Sequence, residues 1–253
     1  MQTIQLPAIL TVMQKIDSRK GEADKLIEKM FKVGAHYGYS KTRRHPSLSK
    51  YIHATKNKTD IINIEKTSIM LQNAAEYAQS LGAAGRVILF VGTKPEAKDA
   101  IKNIAVSLNM PYVNVRWIGG TISNFAEIKK RITELENYRK DIKEGELDKY
   151  TKKERVVMAK KMEKLERYYS GLIGLKKTPD ALFVIDSRAE HIATTEGKKL
   201  GIPVISLVNS DSNIKGIKYP IVGNDSSIPS IKFFAGAIED AYKLGAATVP
   251  KNE

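Results

Sequence analysis

Two stretches of consecutive apolar residues, Arg86 to Val91 (R-V-I-L-F-V) and Asp180 to Ile185 (D-A-L-F-V-I), limit what this chain can fold into. A strand with one wet face alternates apolar with polar residues. These runs do not alternate, so each predicts a strand buried on both faces, as in a parallel sheet covered by helices. Pro203 to Val208 is a third such run, and Ile61 to Ile64, Tyr112 to Val115 and Tyr219 to Val222 are shorter ones. Helical spacing of apolar residues fills the intervals: Glu65 to Leu81, ended near Gly82, then Pro95 to Leu108, Ala189 to Leu200 and Ser227 to Leu244. Strands alternating with helices predict an α/β fold. It is a doubly wound, mainly parallel sheet of about five strands with helices on both faces.

One block breaks the alternation. Phe125, Ile128, Ile132, Leu135 and Ile142, and then Met158, Met162, Leu165, Tyr169 and Leu172, recur at three- and four-residue steps, with Arg139 interrupting the first seam. Thr151-Lys152-Lys153-Glu154 is a capping box that restarts a helix after a turn around Gly145. The stripe is narrow and the other faces are charged, which predicts a projecting antiparallel coiled-coil helical hairpin. Arms of roughly 18–22 residues at ~1.5 Å per residue would reach about 30 Å. The division expected is an N-terminal segment and helix (1–33), a basic loop (34–60), an α/β domain (61–123 and 178–246), the hairpin (124–177) and a short tail (247–253).

The basic loop, Gly34 to Asp60, carries Lys41, Arg43, Arg44, Lys50, Lys56 and Lys58, with Lys32 just upstream, against the single acid Asp60. It also holds three of the four histidines (His36, His45, His53) and Tyr37, Tyr39 and Tyr51. No helical or strand period is visible in it, and Gly34, Gly38 and Pro46 break it up, so it is expected to bury no core of its own. Cations neutralise phosphates and planar rings stack on bases, so the segment reads as an RNA-facing loop.

Charge distribution across the 253 residues points the same way. The net charge is +14. Residues 1–60 hold 12 Lys and Arg against 5 acids and residues 125–178 hold 16 against 10, whereas residues 179–253 hold 8 against 9. Such asymmetry suits a protein with one side turned to a polyanion. The chain contains no cysteine, which excludes disulfides and thiolate metal sites. No apolar run approaches a membrane span, and the opening residues, interrupted by Pro7, do not read as a signal peptide.

Catalytic patterns are missing. Val91-Gly92-Thr93-Lys94 follows a buried strand, where phosphate loops sit, but it has one glycine and matches neither G-x-x-x-x-G-K-[ST] nor G-x-G-x-x-G. Asp186 and Gly223-Asn224-Asp225 also end strands and suit turns and helix caps as well as ligands. The histidines have no metal-ligand spacing, and there is no Gly-x-Ser-x-Gly elbow. Trp117, the only tryptophan, reads either as a core aromatic or, with Arg116, as a grip on RNA. The reading is therefore of a non-enzyme without cofactor, metal or small-molecule substrate. The alternative is a nucleotide-binding α/β enzyme. The RNA-binding candidates are His36, Tyr37, Lys41, Arg43, Arg44, Lys50, Lys56 and Lys58 in the loop, Arg116, and Lys160, Lys161 and Lys164 in the second hairpin arm.

Several motifs in order carry a family resemblance over about Leu26 to Ala246. They are Gly34-Ala35-His36-Tyr37-Gly38, Thr42-Arg43-Arg44, Tyr51-Ile52, Asp60 to Thr67 and Leu89 to Lys94, then Arg116-Trp117-Ile118-Gly119-Gly120-Thr121, Thr151 to Glu154, Pro179 to Asp186 and Gly201 to Val204. With these the chain resembles the bacterial small-subunit ribosomal proteins of the S-two family. It departs from the family at Tyr37, Tyr39 and His45, where Phe, His and Trp are usual. The resemblance implies a structural role in the cytoplasmic small ribosomal subunit, at the junction of head and body. The implied partners are small-subunit ribosomal RNA and neighbouring ribosomal proteins, including the large messenger-binding one, with no membrane partner.

Overall fold

Eight strands form two sheets in the computed structural model, which describes residues 24–248. The first is antiparallel, of order β1-β3-β2, with β1 at Tyr37–Ser40, β2 at Ile52–Lys56 and β3 at Thr59–Ile62. The second is parallel throughout, of order β5-β4-β6-β7-β8, with β4 at Ile88–Val91, β5 at Tyr112–Val113, β6 at Ala181–Ile185, β7 at Val204–Val208 and β8 at Tyr219–Val222. Every residue of β4, β6 and β7 is buried, as runs without alternation require. The order reverses between β4 and β6, which creates the crevice where ligands enter sheets of this kind.

Side chains alternate between two cores. Ile88, Phe90, Phe183 and Ile205 pack with the helices α2 (Ile64–Ala83), α3 (Pro95–Ser107) and α7 (Ile228–Ala247). Leu89, Val91, Leu182 and Val204 face the other way, onto Trp117, Ile122 and helix α6 (His191–Lys199) through Ala193. Helices thus cover both faces, as expected. The short helix at 24–32, α1, is stopped by Gly34 at φ 71°.

Helix α2 ends near Gly82, as expected. The helix runs on to Ala83 and turns at Gly85, φ 59°. Gly82 serves a second need, the crossing of α2 and α7. A Cβ on Gly82 would lie 2.2 Å from the carbonyl oxygen of Tyr242, and one on Gly245 would lie 2.0 Å from that of Gln79. The two backbones touch, and only hydrogen fits between them.

The segment 34–60 is a correction to the sequence reading: it is not a loop, and it does bury residues. Ala35 is buried in the core that holds Ile88 and Phe90, and Leu48 in the other core, together with Ile62 at the end of β3. The β2–β3 turn places Asn57 at φ 49° and Lys58 at φ 63°, the left-handed pair that a two-residue hairpin demands. Period-two burial is present in Thr59–Ile62, but its inward residue at the first step is the charged Asp60.

Helix α4 (Phe125–Glu144) ends at Gly145, φ 74°, and α5 (Lys152–Tyr169) opens on the Thr151–Glu154 capping box. Their contact buries Leu135, Met162 and Leu165 beside Tyr138 and Tyr169. Ile128 and Ile132 belong instead to the core beneath the sheet. Arg139 bonds Glu166 of α5, and Lys161 bonds Glu134 of α4, so the residue expected to break the seam bridges it. Toward the turn the stripe runs out, with Ile142 at 52% exposure.

Gly245→Ala is expected to cost about 1–3 kcal/mol through overpacking at the crossing. The control Gly236→Ala lies in the same helix with nothing within 4 Å of its new Cβ, and should be neutral or stabilising by up to ~1 kcal/mol. Urea unfolding of both variants checks this.

Candidate nucleic-acid interface

The candidate residues divide by what their polar atoms already hold. Asp60 is fully buried, and Arg44 closes on it through Nε to Oδ2 at 2.7 Å and through Nη2 to Oδ1. The hydroxyl of Thr55 donates to Oδ1 at 2.9 Å and accepts from Arg44 Nη2 at 2.7 Å. The guanidinium beside it holds the Asp60 carboxyl below the usual carboxylate range. Arg44 therefore ties the small sheet together. Its neighbour Arg43 is exposed, with its guanidinium over the Tyr39 ring at 5.0 Å and no carboxylate partner among the described residues.

His36 is half-buried between Phe31 and Tyr37, with ring centroids 5.0 and 4.1 Å away, and burial pushes its pKa down. Tyr37 covers it from outside at 53% exposure. Lys41, Lys50, Lys56, Lys58 and Arg116 are exposed, and Lys50 lies 5.0 Å from the centre of the Tyr51 ring. On α5, Lys160 and Lys164 are exposed and carry no ion pair among the described residues, whereas Lys161 is held by Glu134.

Trp117 is a core residue at 5% exposure, and its indole N–H donates to Glu196 at 3.2 Å. Glu196 also accepts the backbone N–H groups of Gly120 at 2.7 Å, Ile122 at 3.1 Å and Ser123 at 3.2 Å. Burial pulls the Glu196 carboxyl up, but these donors more than offset it and leave its pKa below the ordinary value. This carboxylate pins the Gly-Gly turn that starts α4 onto α6. In the sequence it is one more acid on a helix, and only the clustering of unpaired N–H donors in Ile118–Ser123 hints at its role.

The strand-end crevice is filled from within. Lys94, after β4, reaches Asp186 after β6 at 2.5 Å and Asp225 after β8 at 2.9 Å. Burial opposes the Lys94 charge, but the two carboxylates raise its pKa well above the normal lysine range. Burial pushes Asp225 up, and Asn209 steadies it through a 3.0 Å hydrogen bond. Thr93 gives its backbone N–H to Glu190 at 3.0 Å and its hydroxyl to the same oxygen. Gly92 is glycine because a Cβ there would meet Ile101 at 2.8 Å. The Lys94 ammonium and the N–H and hydroxyl of Thr93, donors that a phosphate loop would offer, are engaged within the protein. Among the described residues no group of three or more His, Cys, Asp or Glu could hold a metal, and no helix is long and apolar enough to cross a membrane.

The sheet's ligand crevice is closed by its own side chains, and cations stand exposed on the outer surfaces. Residues 30–245 match the family described as ribosomal protein S2. The chain is 37% identical over 224 residues to the small ribosomal subunit protein uS2 of Wolinella succinogenes, covering 88% of this chain and 83% of that one. It is 40% identical over 218 residues to uS2 of Dichelobacter nodosus, covering 86% and 82%. The chain belongs to the ribosomal protein S2 family, whose members are structural proteins and not enzymes.

Two predictions follow from the ion pairs. Arg44→Ala leaves Asp60 buried and unpaired, and should cost about 3–5 kcal/mol. Arg43→Ala should stay within about 0.5 kcal/mol of the parent. Because the folded pKa of Asp60 is depressed, its contribution is present above the unfolded value near ~4 and is lost as pH falls through the folded one. Thermal melts across pH 2–7 read both effects.

Lys94→Met should likewise lose about 3–5 kcal/mol at pH 7. Without the ammonium, Asp186 and Asp225 repel each other, so the folded variant binds protons more readily than its unfolded chain. Its deficit should shrink as pH falls from 7 toward ~4. A deficit that grows on acidification would show that Lys94 is not what neutralises these carboxylates.

Proposed function

We propose that this protein is a non-enzymatic structural constituent of the small ribosomal subunit in the cytoplasm, held there by ribosomal RNA. The observation that carries the reading is the family match over residues 30–245, which includes the small sheet and both hairpin helices. The chemistry supports it: Lys41, Arg43, Lys50, Lys56, Lys58 and Arg116 are exposed, as is the Tyr37 ring, and Lys50 lies by the ring of Tyr51. In this reading those residues touch RNA, while His36, Arg44 and Lys161 hold the contacting elements in shape. The seat is the junction of head and body, and the neighbours include the large messenger-binding ribosomal protein. The α4–α5 pair acts as a coiled-coil arm whose second helix faces RNA through Lys160 and Lys164.

The nucleotide-enzyme alternative loses its support at Lys94, the only cation of the strand-end loop.

Co-sedimentation of the tagged chain with small subunits tests the assignment; recovery only in the free-protein fractions would sink it. The arm gives a sharper comparison. Lys160→Glu with Lys164→Glu should weaken binding to small-subunit ribosomal RNA and flatten its salt dependence by about two phosphate contacts. Replacing about Lys140 to Lys153 with a short Gly-containing turn should change the slope less. The reverse ranking would place the RNA-facing part of the arm at its tip.

A further inference from the structure

A cleft of about 590 Å³ lies between the turn at Arg43–Pro46 and the exposed face of α6. Its rim carries Arg43, Arg188, His191 and Lys198, and its wall includes Thr195. One acid opposes them. Asp211 is 7% exposed and takes Arg188 Nη1 on Oδ2 at 2.7 Å, while its buried Oδ1 has no hydrogen-bond partner. Lys198 spends one proton on the carbonyl of Lys215 at 2.8 Å and keeps two. The cleft begins at the N-terminal end of α6, where backbone dipoles add positive potential.

We propose that this cleft receives one unpaired nucleotide of ribosomal RNA. The inference rests on the RNA-binding reading above and names the site and form of the contact. Duplex backbone presents phosphates along a convex surface, and a carboxylate in the floor would repel any phosphate that entered. An unpaired nucleotide meets both conditions: its phosphates stay on the cationic rim, and its inward part brings a donor. That donor, a ribose hydroxyl or a base amino group, is what the cleft's one acid, Asp211, would attract where it repels phosphate. The volume lies within the usual range for a pocket that holds a small organic group. Arg43 comes from the first sheet and Arg188 and Lys198 from the α/β body, so the site exists only when the two are docked.

The absence of cysteine makes a direct test available. Thr195→Cys, on the cleft wall and exposed, is labelled with a tethered iron chelate, and hydroxyl-radical cuts are mapped on naked small-subunit ribosomal RNA bound to the full chain. Lys102→Cys, exposed on α3, is the distant control. Cuts from Thr195→Cys centred on an unpaired segment, and absent from the control, are expected. In parallel, Arg43→Ala with Lys198→Ala should lower the salt slope by about 1.4, two single-strand contacts, and erase those cuts. If the parent chain does not bind the RNA at all, the functional reading fails. If it binds, but the cuts fall in duplex or the double variant keeps the parental slope, RNA binding stands and the cleft proposal is overturned.

Discussion

A single ammonium group closes the carboxyl end of the sheet. Lys94, Asp186 and Asp225 arrive from loops that follow β4, β6 and β8, so three of the five parallel strands end on one buried cluster. Two carboxylates in that space would drive the loops apart without the lysine between them. One positive charge does not neutralise both, and the remainder is carried by hydrogen bonds. Arg188 and Ala189 give backbone N–H groups to Asp186 at 2.9 and 3.1 Å, and Asn209 and Ser226 donate to Asp225 at 3.0 and 3.1 Å. A buried ion set of this kind is tolerable only when its lone pairs are filled this fully. Asp186 takes φ 63° to reach the cluster, a backbone angle that most side chains avoid.

The first sheet is built onto that end. Tyr39 gives its backbone N–H to Ser210 Oγ at 2.9 Å and shares a 2.6 Å hydrogen bond with Ser226, the residue after Asp225. His45 donates its backbone N–H to the carbonyl of Ser210 at 2.8 Å. Gly38 has little room for a side chain, since a Cβ there would lie 3.0 Å from the carbonyl oxygen of Asp60 in the same sheet and 3.2 Å from Ser210 Oγ. Asn224 holds Gly34 and Ala35 from below at 3.0 Å each. The crevice that sheets of this topology offer to cofactors has become a docking joint, and the same residues that end the strands position the basic turn at 41–46.

How far this was legible depends on where the signal was local. The β4, β6 and β7 runs were readable because burial on both faces leaves a run with no polar interruption. The capping box at Thr151 and the Gly145 stop were readable because helix ends have their own chemistry. Segment 34–60 was not, since its three strands are short, β1 and β2 bury none of their residues, its turn is Asn-Lys instead of Asn-Gly, and the inward position of β3 holds Asp60. An acid amid cations looks like solvent chemistry until its partner is known to sit sixteen residues away in sequence and 2.7 Å away in space. Glu196 and Lys94 were hidden for the same reason: their partners lie more than seventy residues distant. Gly82 marked the end of α2 to within a residue, but its second use, the α2–α7 crossing, leaves no local signal.

Segment charge was the main pointer to RNA, and the structure shows what such a count mixes together. Arg44 and Lys94 are cations whose charge is spent on buried carboxylates, and Arg139 and Lys161 pair with glutamates across the surface of the hairpin. Three of them stand in the segments that looked most basic. The final quarter of the chain, with more acids than bases, still supplies Arg188 and Lys198 to the cleft beside Arg43. A basic surface is therefore not a property of a stretch of sequence. It is what remains after the internal pairs are taken out, gathered by the fold from stretches of opposite net sign. On that view the buried pairs and the exposed cations belong to one device. Arg44 on Asp60 fixes the turn, the Lys94 cluster fixes the loop ends against it, and Arg43 and Arg188 then stand on opposite rims of one opening with their positions set before any partner arrives. Preorganised cations lose less freedom on binding than flexible ones, so a few of them suffice where a disordered basic tail would need many.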